Sequence, residues 1–171
     1  MKQKTFSMAA QLKKGKAAEK KFLQEHGQGC IERTDGRKGD FRIKWSQVKV
    51  ELKSDFYAAS NNLFIERWSV VNDAGQKNGG PWQSSDNDNK YFIYWFVESN
   101  ELFLFDLDFF VPWLETVLPS LKKILVKNKG YHTEGYLLPK ALVKKADKKS
   151  GYMGSDLSQI LLFRWEGEGK T

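Results

Sequence analysis

The stretch "VKVELKSD" (48–55) alternates apolar and charged residues, which reads as a strand with Glu51 and Lys53 on one face. Just upstream, "GDFRIKW" (39–45) alternates in the same way. A two-residue turn at Ser46-Gln47 sets Trp45 opposite Val48, Ile43 opposite Val50 and Phe41 opposite Leu52, so that apolar residues meet on one face. The other face then carries Asp40, Arg42, Lys44, Lys49, Glu51 and Lys53, with Asp40 across from Lys53 and Glu51 on the diagonal. Two carboxylates and one amine so placed are within reach of a single ion. A hard divalent cation held by such oxygens makes a bound water nucleophilic and neutralises developing negative charge. The same residues can instead form two cross-strand ion pairs, Asp40 with Lys53 and Arg42 with Glu51, each worth at most about 1 kcal/mol on a wet surface. Lys44 opposite Lys49 is an unfavourable pairing unless an anion lies near.

The elements that must position these residues begin with a helix over residues 6–26. Met8, Leu12, Glu19, Phe22, Leu23 and His26 recur on it at spacings of three, four and seven, and a glycine of "HGQG" ends it. Glu19 falls inside the apolar stripe, where a carboxylate has to be paired or bound to a cation, because uncompensated burial is costly. Lys53 is one partner for it, and a metal site is another. In "RTDGRKGD" (33–40), Gly36 and Gly39 allow a tight turn and leave Asp40 accessible.

Beyond the hairpin, "NLFIERWSVV" (62–71) is β-branched and aromatic enough to be a third strand. Glu66 on it either faces the site or is an ordinary surface charge. Residues 72–90 are polar and glycine-rich and read as a long loop. "YFIYWFV" (91–97) is continuously apolar, as a strand covered on both faces is, and "ESNE" turns it into "LFLFDL" (102–107). A helix is expected from Phe109 to Val126, with Pro112 near its first turn and Pro119 as a kink. "LPKALVKKA" reads as a short basic helix and "SQILLFRWE" as a closing strand. The order predicts an α/β or α+β mixed-sheet domain spanning residues 1–171. Its core covers about residues 7–130, with a basic C-terminal extension, 131–171, packed on it.

Composition narrows the chemistry. With 171 residues, 40% of them hydrophobic and 29% charged, the chain is globular. No apolar run approaches the roughly 20 residues of a membrane span, and the basic N-terminus lacks the apolar core of a secretory signal. One cysteine, Cys30, permits no internal disulfide and favours a reducing, cytoplasmic setting. Two histidines, His26 and His132, support neither a zinc cluster nor a nucleophilic hydrolase, since no Ser or Cys partner is evident. The net charge of +7 is unevenly placed. Residues 1–30 hold seven lysines against two glutamates, and residues 120–150 hold nine lysines against Glu134 and Asp147. Basic flanks around an acidic centre suit a polyanion gripped at its edges, although lysines also serve solubility.

Asp40, ten residues, then Glu51-Leu52-Lys53 at the end of the second hairpin strand resembles the PD-(D/E)XK nuclease superfamily, which includes restriction endonucleases and archaeal Holliday-junction resolvases. The inward acid of a preceding helix, Glu19, is similar to the resolvase branch, and the resemblance covers about residues 10–97. "NLFIERW" followed by "GGPWQS" also resembles a run that follows the Glu-x-Lys strand in phage and archaeal members. One letter departs: Gly39, not proline, precedes Asp40.

The resemblance implies a restriction-endonuclease-like core of αβββ order around a central mixed sheet flanked by helices. It also implies Mg²⁺ or Mn²⁺ held by Asp40, Glu51 and the Leu52 carbonyl, with Glu19 bound directly or through water, and Lys53 acting on the attacking water or the phosphorane-like charge. The expected activity is metal-dependent hydrolysis of duplex or branched DNA, as in recombination. The alternatives are a sequence-specific restriction-type enzyme and a non-catalytic nucleic-acid-binding module. Lys16, Lys44, Lys49, Gln83, Ser84, Lys144 and Lys145 are the expected DNA contacts. A symmetric homodimer is a further expectation, with an aromatic surface near Trp95, Phe109 or Trp113 to serve it.

Overall fold

A computed structural model describes residues 8–157 apart from 28, 35–38 and 58. In chain order the elements are α1 (Met8–His26), β1 (Ile31–Arg33), β2 (Phe41–Ile43), β3 (Lys49–Asp55), β4 (Asn62–Asn72), β5 (Gly75–Asn78), α2 (Gly80–Asp86), β6 (Tyr91–Phe96) and β7 (Glu101–Asp106). They continue with α3 (Leu107–Val117), β8 (Lys122–Asn128), β9 (Tyr131–Pro139), α4 (Lys140–Ala146) and β10 (Tyr152–Gly154). A six-stranded sheet runs β1-β2-β3-β6-β7-β10, and a four-stranded sheet runs β5-β4-β9-β8. β3 and β6 are parallel, whereas every other neighbouring pair is antiparallel. The described residues thus form a mixed α/β protein with a mixed sheet and four α-helices. Among the described residues no helix is long and apolar enough to cross a membrane.

β6 is apolar throughout because it separates two cores. Tyr91, Ile93 and Trp95 pack toward Ala18 and Phe22 of α1 together with Val50 and Leu52. Phe92, Tyr94 and Phe96 pack into a second cluster with Leu63 and Ile65 of β4, Phe110 and Leu114 of α3, Leu138 and Val143. A strand buried on both faces belongs inside a sheet, and β6 takes the place beside β3.

That choice overturns the expected αβββ sheet. β4 does not join the central sheet. It pairs instead with β5 and with β9, a strand the sequence reading did not find. Residues 72–90 are not a loop either, since they contain β5 and α2. Pro81 enters the first turn of α2, where its missing N–H costs nothing, and Trp82 anchors the helix by burial. The helix expected over Phe109–Val126 stops at Val117, Pro119 falls in a 3₁₀ turn over Leu118–Ser120, and β8 follows. Residues 131–157 supply β9 inside the second sheet, α4, and the edge strand β10. The closing strand expected at "SQILLFRWE" lies outside the described residues.

The hairpin register also differs. Phe41 lies opposite Val50 and Arg42 opposite Lys49, two residues away from the expected pairing. Ser46-Gln47 does not make the tight turn. The chain uses a four-residue loop closed by Ile43 N–H to Val48 O at 2.9 Å and Gln47 N–H to Ile43 O at 2.8 Å, with Gln47 at φ 57°. A shift of two preserves the side-chain period, so Phe41, Ile43, Val50 and Leu52 still share the apolar face.

Candidate active site

The shifted register changes which residues meet across the hairpin. With Phe41 opposite Val50, Asp40 is no longer across from Lys53 and lies beside Glu51, whose carboxyl feels its charge. Asp40 N–H donates to Val50 O at 3.2 Å, and the Leu52 N–H donates to Asp40 Oδ2 at 3.0 Å. Val50 and Leu52 face the α1 core, so Glu51 and Lys53 face the opposite side, toward the second sheet. There Lys53 Nζ donates to Glu66 Oε1 at 2.6 Å, which brings the acid of β4 into the group. Glu19 is paired with Arg33 of β1, not with Lys53.

The charges around these acids act on one another. Burial is the largest influence on Asp40, whose carboxyl is pushed up to about 6; the Leu52 N–H opposes this, Glu19 adds to it and Arg33 offsets it. Burial and then the Asp40 charge push Glu51 up to about 8, against the pull of Lys53 and with a further push from Glu19. Glu51 therefore favours its protonated form near neutral pH until a cation is supplied.

This donor chemistry fits a hard divalent ion. A strand residue directs its N–H and C=O to the same edge, so the Leu52 carbonyl leaves β3 on the side of the N–H bonded to Asp40. Asp40, Glu51 and that carbonyl form an oxygen-only set, as Mg²⁺ and Mn²⁺ prefer. Among the described residues no three Asp, Glu, His or Cys side chains are gathered tightly enough to hold a metal alone. The remaining positions fall to water and substrate oxygens, which Mg²⁺ retains readily.

The backbone at position 39 requires glycine and excludes proline. Its φ is +97°, and a Cβ there would lie 2.2 Å from Asn89 Oδ1. Proline is held near −65° and cannot adopt this conformation, while any side chain collides with Asn89. Asn89 is itself buried and donates from Nδ2 to Ser84 O at 3.1 Å, which ties the segment leading into β6 back to α2. Gly39→Ala is expected to cost about 1–3 kcal/mol and to displace Asp40. A chemical-denaturation midpoint equal to the parent's contradicts this account.

The other expected contacts scatter. Lys16 is exposed on α1, and Gln83 of α2 lines an open groove with Trp68, Lys77 and Asn78. Ser84 is only 2% exposed and cannot reach a macromolecule. Lys44 lies in the hairpin turn, and Lys49 meets Arg42 instead. Lys144 bonds Glu101, whose partner Phe96 is four residues along β6 from the partner of Glu51, about 13 Å away. Lys145 is exposed on the same helix, α4. Trp95 is fully buried, which removes it from any dimer surface, and Trp113 is half-buried against Phe110, whereas Phe109 is exposed. Sequence reasoning missed Arg33 and Asn89. Arg33 sits in a three-residue strand too short to show a period, and Asn89 lay in the supposed loop.

No protein-family model matches the chain, nor does any curated protein or solved structure.

Proposed function

We propose that the protein is a divalent-metal-dependent DNA endonuclease of the PD-(D/E)XK kind, hydrolysing phosphodiester bonds in duplex or branched DNA, with a Holliday-junction-resolvase-like preference. The observation that carries this reading is the placement of Asp40 beside Glu51, both with raised carboxyl pKa values, and Lys53 two residues on along the same face as Glu51.

Asp40, Glu51 and the Leu52 carbonyl would hold a divalent cation, which would supply Lewis acidity toward a phosphate oxygen and acidify a nearby water. Asp40 is oriented for this by the Leu52 N–H. The Lys53 ammonium, steadied by Glu66 at 2.6 Å, holds the attacking water or faces the charge that develops on the phosphate oxygens. Glu66 is then a positioning residue. Glu19, tied to Arg33, adds negative potential behind the two ligands and restrains α1 against the hairpin.

Incubation with linear duplex, single-stranded, flapped and four-way DNA, each with Mg²⁺ and with EDTA, tests the reading. Cleavage of at least one substrate, four-way DNA above all, is expected with Mg²⁺ and abolished by EDTA. Intact substrates throughout, with Mn²⁺ as well as Mg²⁺, reject it.

A further inference from the structure

We propose that β8 and the turn after it, residues 122–130, form the surface on which the sugar–phosphate backbone of a DNA duplex docks while the scissile bond lies at Asp40 and Glu51. The inference rests on the phosphodiester reading above and names residues that the expected contact set did not contain.

Charge comes first. From residue 116 to 133 the chain has no Asp or Glu and four lysines, at positions 122, 123, 127 and 129. Lys123 is neutralised by Glu134 at 2.7 Å, whereas among the described residues no ion pair engages Lys122, Lys127 or Lys129. β8 is the outer edge of the four-stranded sheet, and Ile124 alone among its residues is half-buried, the others being exposed.

Lysines on an edge strand commonly protect it from pairing with another chain. Protection alone does not account for the centre of β8, where Leu125 and Val126 are 56% and 42% exposed between the lysines. A second copy is a poor occupant. Antiparallel pairing of two β8 strands about Leu125 sets Lys123 directly opposite Lys127 of the other copy, and parallel pairing sets each lysine beside its own equivalent, so like charges meet either way. A polyanion with apolar sugar faces satisfies both the lysines and the apolar centre.

Position supplies the direction. Glu66 pairs with Gly135, and Gly135 with Ile124, so one row crosses the second sheet from the acid bonded to Lys53 to the middle of β8. Two strand spacings separate β4 from β8, about 10 Å. Lys122 to Lys129 spans about 23 Å of strand and turn, the rise of about seven nucleotides of one DNA strand. A duplex along β8 therefore lies about two strand spacings from Glu66, the partner of Lys53.

The test uses the full chain in EDTA, with a fluorescein-labelled random duplex of about 20 base pairs, and follows anisotropy from about 50 to 200 mM KCl. Lys127→Glu/Lys129→Glu is expected to weaken binding at least about tenfold and to flatten the salt slope by about two units, while the milder Lys127→Gln/Lys129→Gln loses about the same slope with less affinity. Lys148→Glu/Lys149→Glu, on the exposed 3₁₀ turn after α4, is expected to keep the parent slope. Parent-like binding by both variants at 127 and 129, or an equal loss in the control, overturns the proposal. Cleavage by the parent is scored separately with Mg²⁺. DNA that binds through residues 127 and 129 but is never cut defeats the nuclease reading alone, and DNA that is cut without needing those lysines defeats the docking surface alone.

Discussion

Glu51→Ala and Lys53→Ala are each expected to lower the proposed metal-dependent DNA cleavage by about 10²–10⁴-fold while remaining folded. The two substitutions act differently, and that difference makes the pair informative. Glu51→Ala removes a proposed ligand along with a buried acid beside Asp40, so Mn²⁺ affinity measured by calorimetry is expected to fall while the metal-free protein becomes more stable. Lys53→Ala leaves Asp40, Glu51 and the Leu52 carbonyl in place, so Mn²⁺ still binds and the loss appears in the chemical step. Glu66 then lacks its partner, but its side chain is 23% exposed and water can hydrate it, which keeps the cost to the fold small. Glu19→Gln is expected to have a smaller effect, because Glu19 acts through Arg33 and through its field on the two ligands. Full activity in Glu51→Ala or in Lys53→Ala removes the assignment. Unchanged metal affinity and activity in Glu19→Gln confine that residue to holding α1.

The metal-free protein is expected to lose stability as pH rises through the neutral range. Both carboxyls titrate higher in the folded chain than in the unfolded one, at about 6 for Asp40 and about 8 for Glu51. Between the usual carboxylate range and those values the native state holds protons that the unfolded state has released. The free energy of unfolding therefore slopes downward with pH. Their favourable contribution is complete below the usual carboxylate range and disappears as pH rises through about 6 and then about 8. From about pH 5 to about pH 8.5 the loss is on the order of 2 kcal/mol or more, and Glu51→Gln removes most of it. Mg²⁺ bound only to the native state restores about 2.7 kcal/mol at about one hundred times its dissociation constant, and restores more at high pH, where both ligands are ionised. Urea denaturation in EDTA across this range, parent against Glu51→Gln, reads the effect directly. A parent-minus-variant difference that is flat or rises with pH shows that the two acids do not share a desolvated site.

Local periodicity made part of this arrangement legible. The spacing of Phe22 and Leu23 marked α1, and the alternation through "VKVELKSD" assigned Glu51 and Lys53 to one face before any partner strand was known. The face survived an incorrect register because side chains repeat every two residues, and the error was two. Continuous apolarity likewise marked β6 as buried on both sides. By contrast, residues 122–126 of β8 read as the end of a helix, because this edge is exposed nearly throughout and carries no inward-outward alternation. β5 and α2 were hidden in a polar stretch whose order comes from Trp82 and Asn89 packing against residues far away in the chain.

The sequence by itself determined which side of each strand the acids and the lysine occupy, since that follows from the geometry of consecutive residues. Only the tertiary structure decided which strands are neighbours: that Asp40 meets Glu51, that Lys53 reaches Glu66 on a separate sheet, and that β6 takes the place expected of β4. Pairing is a contest among distant segments for burial and hydrogen bonds, and no local pattern records its winner.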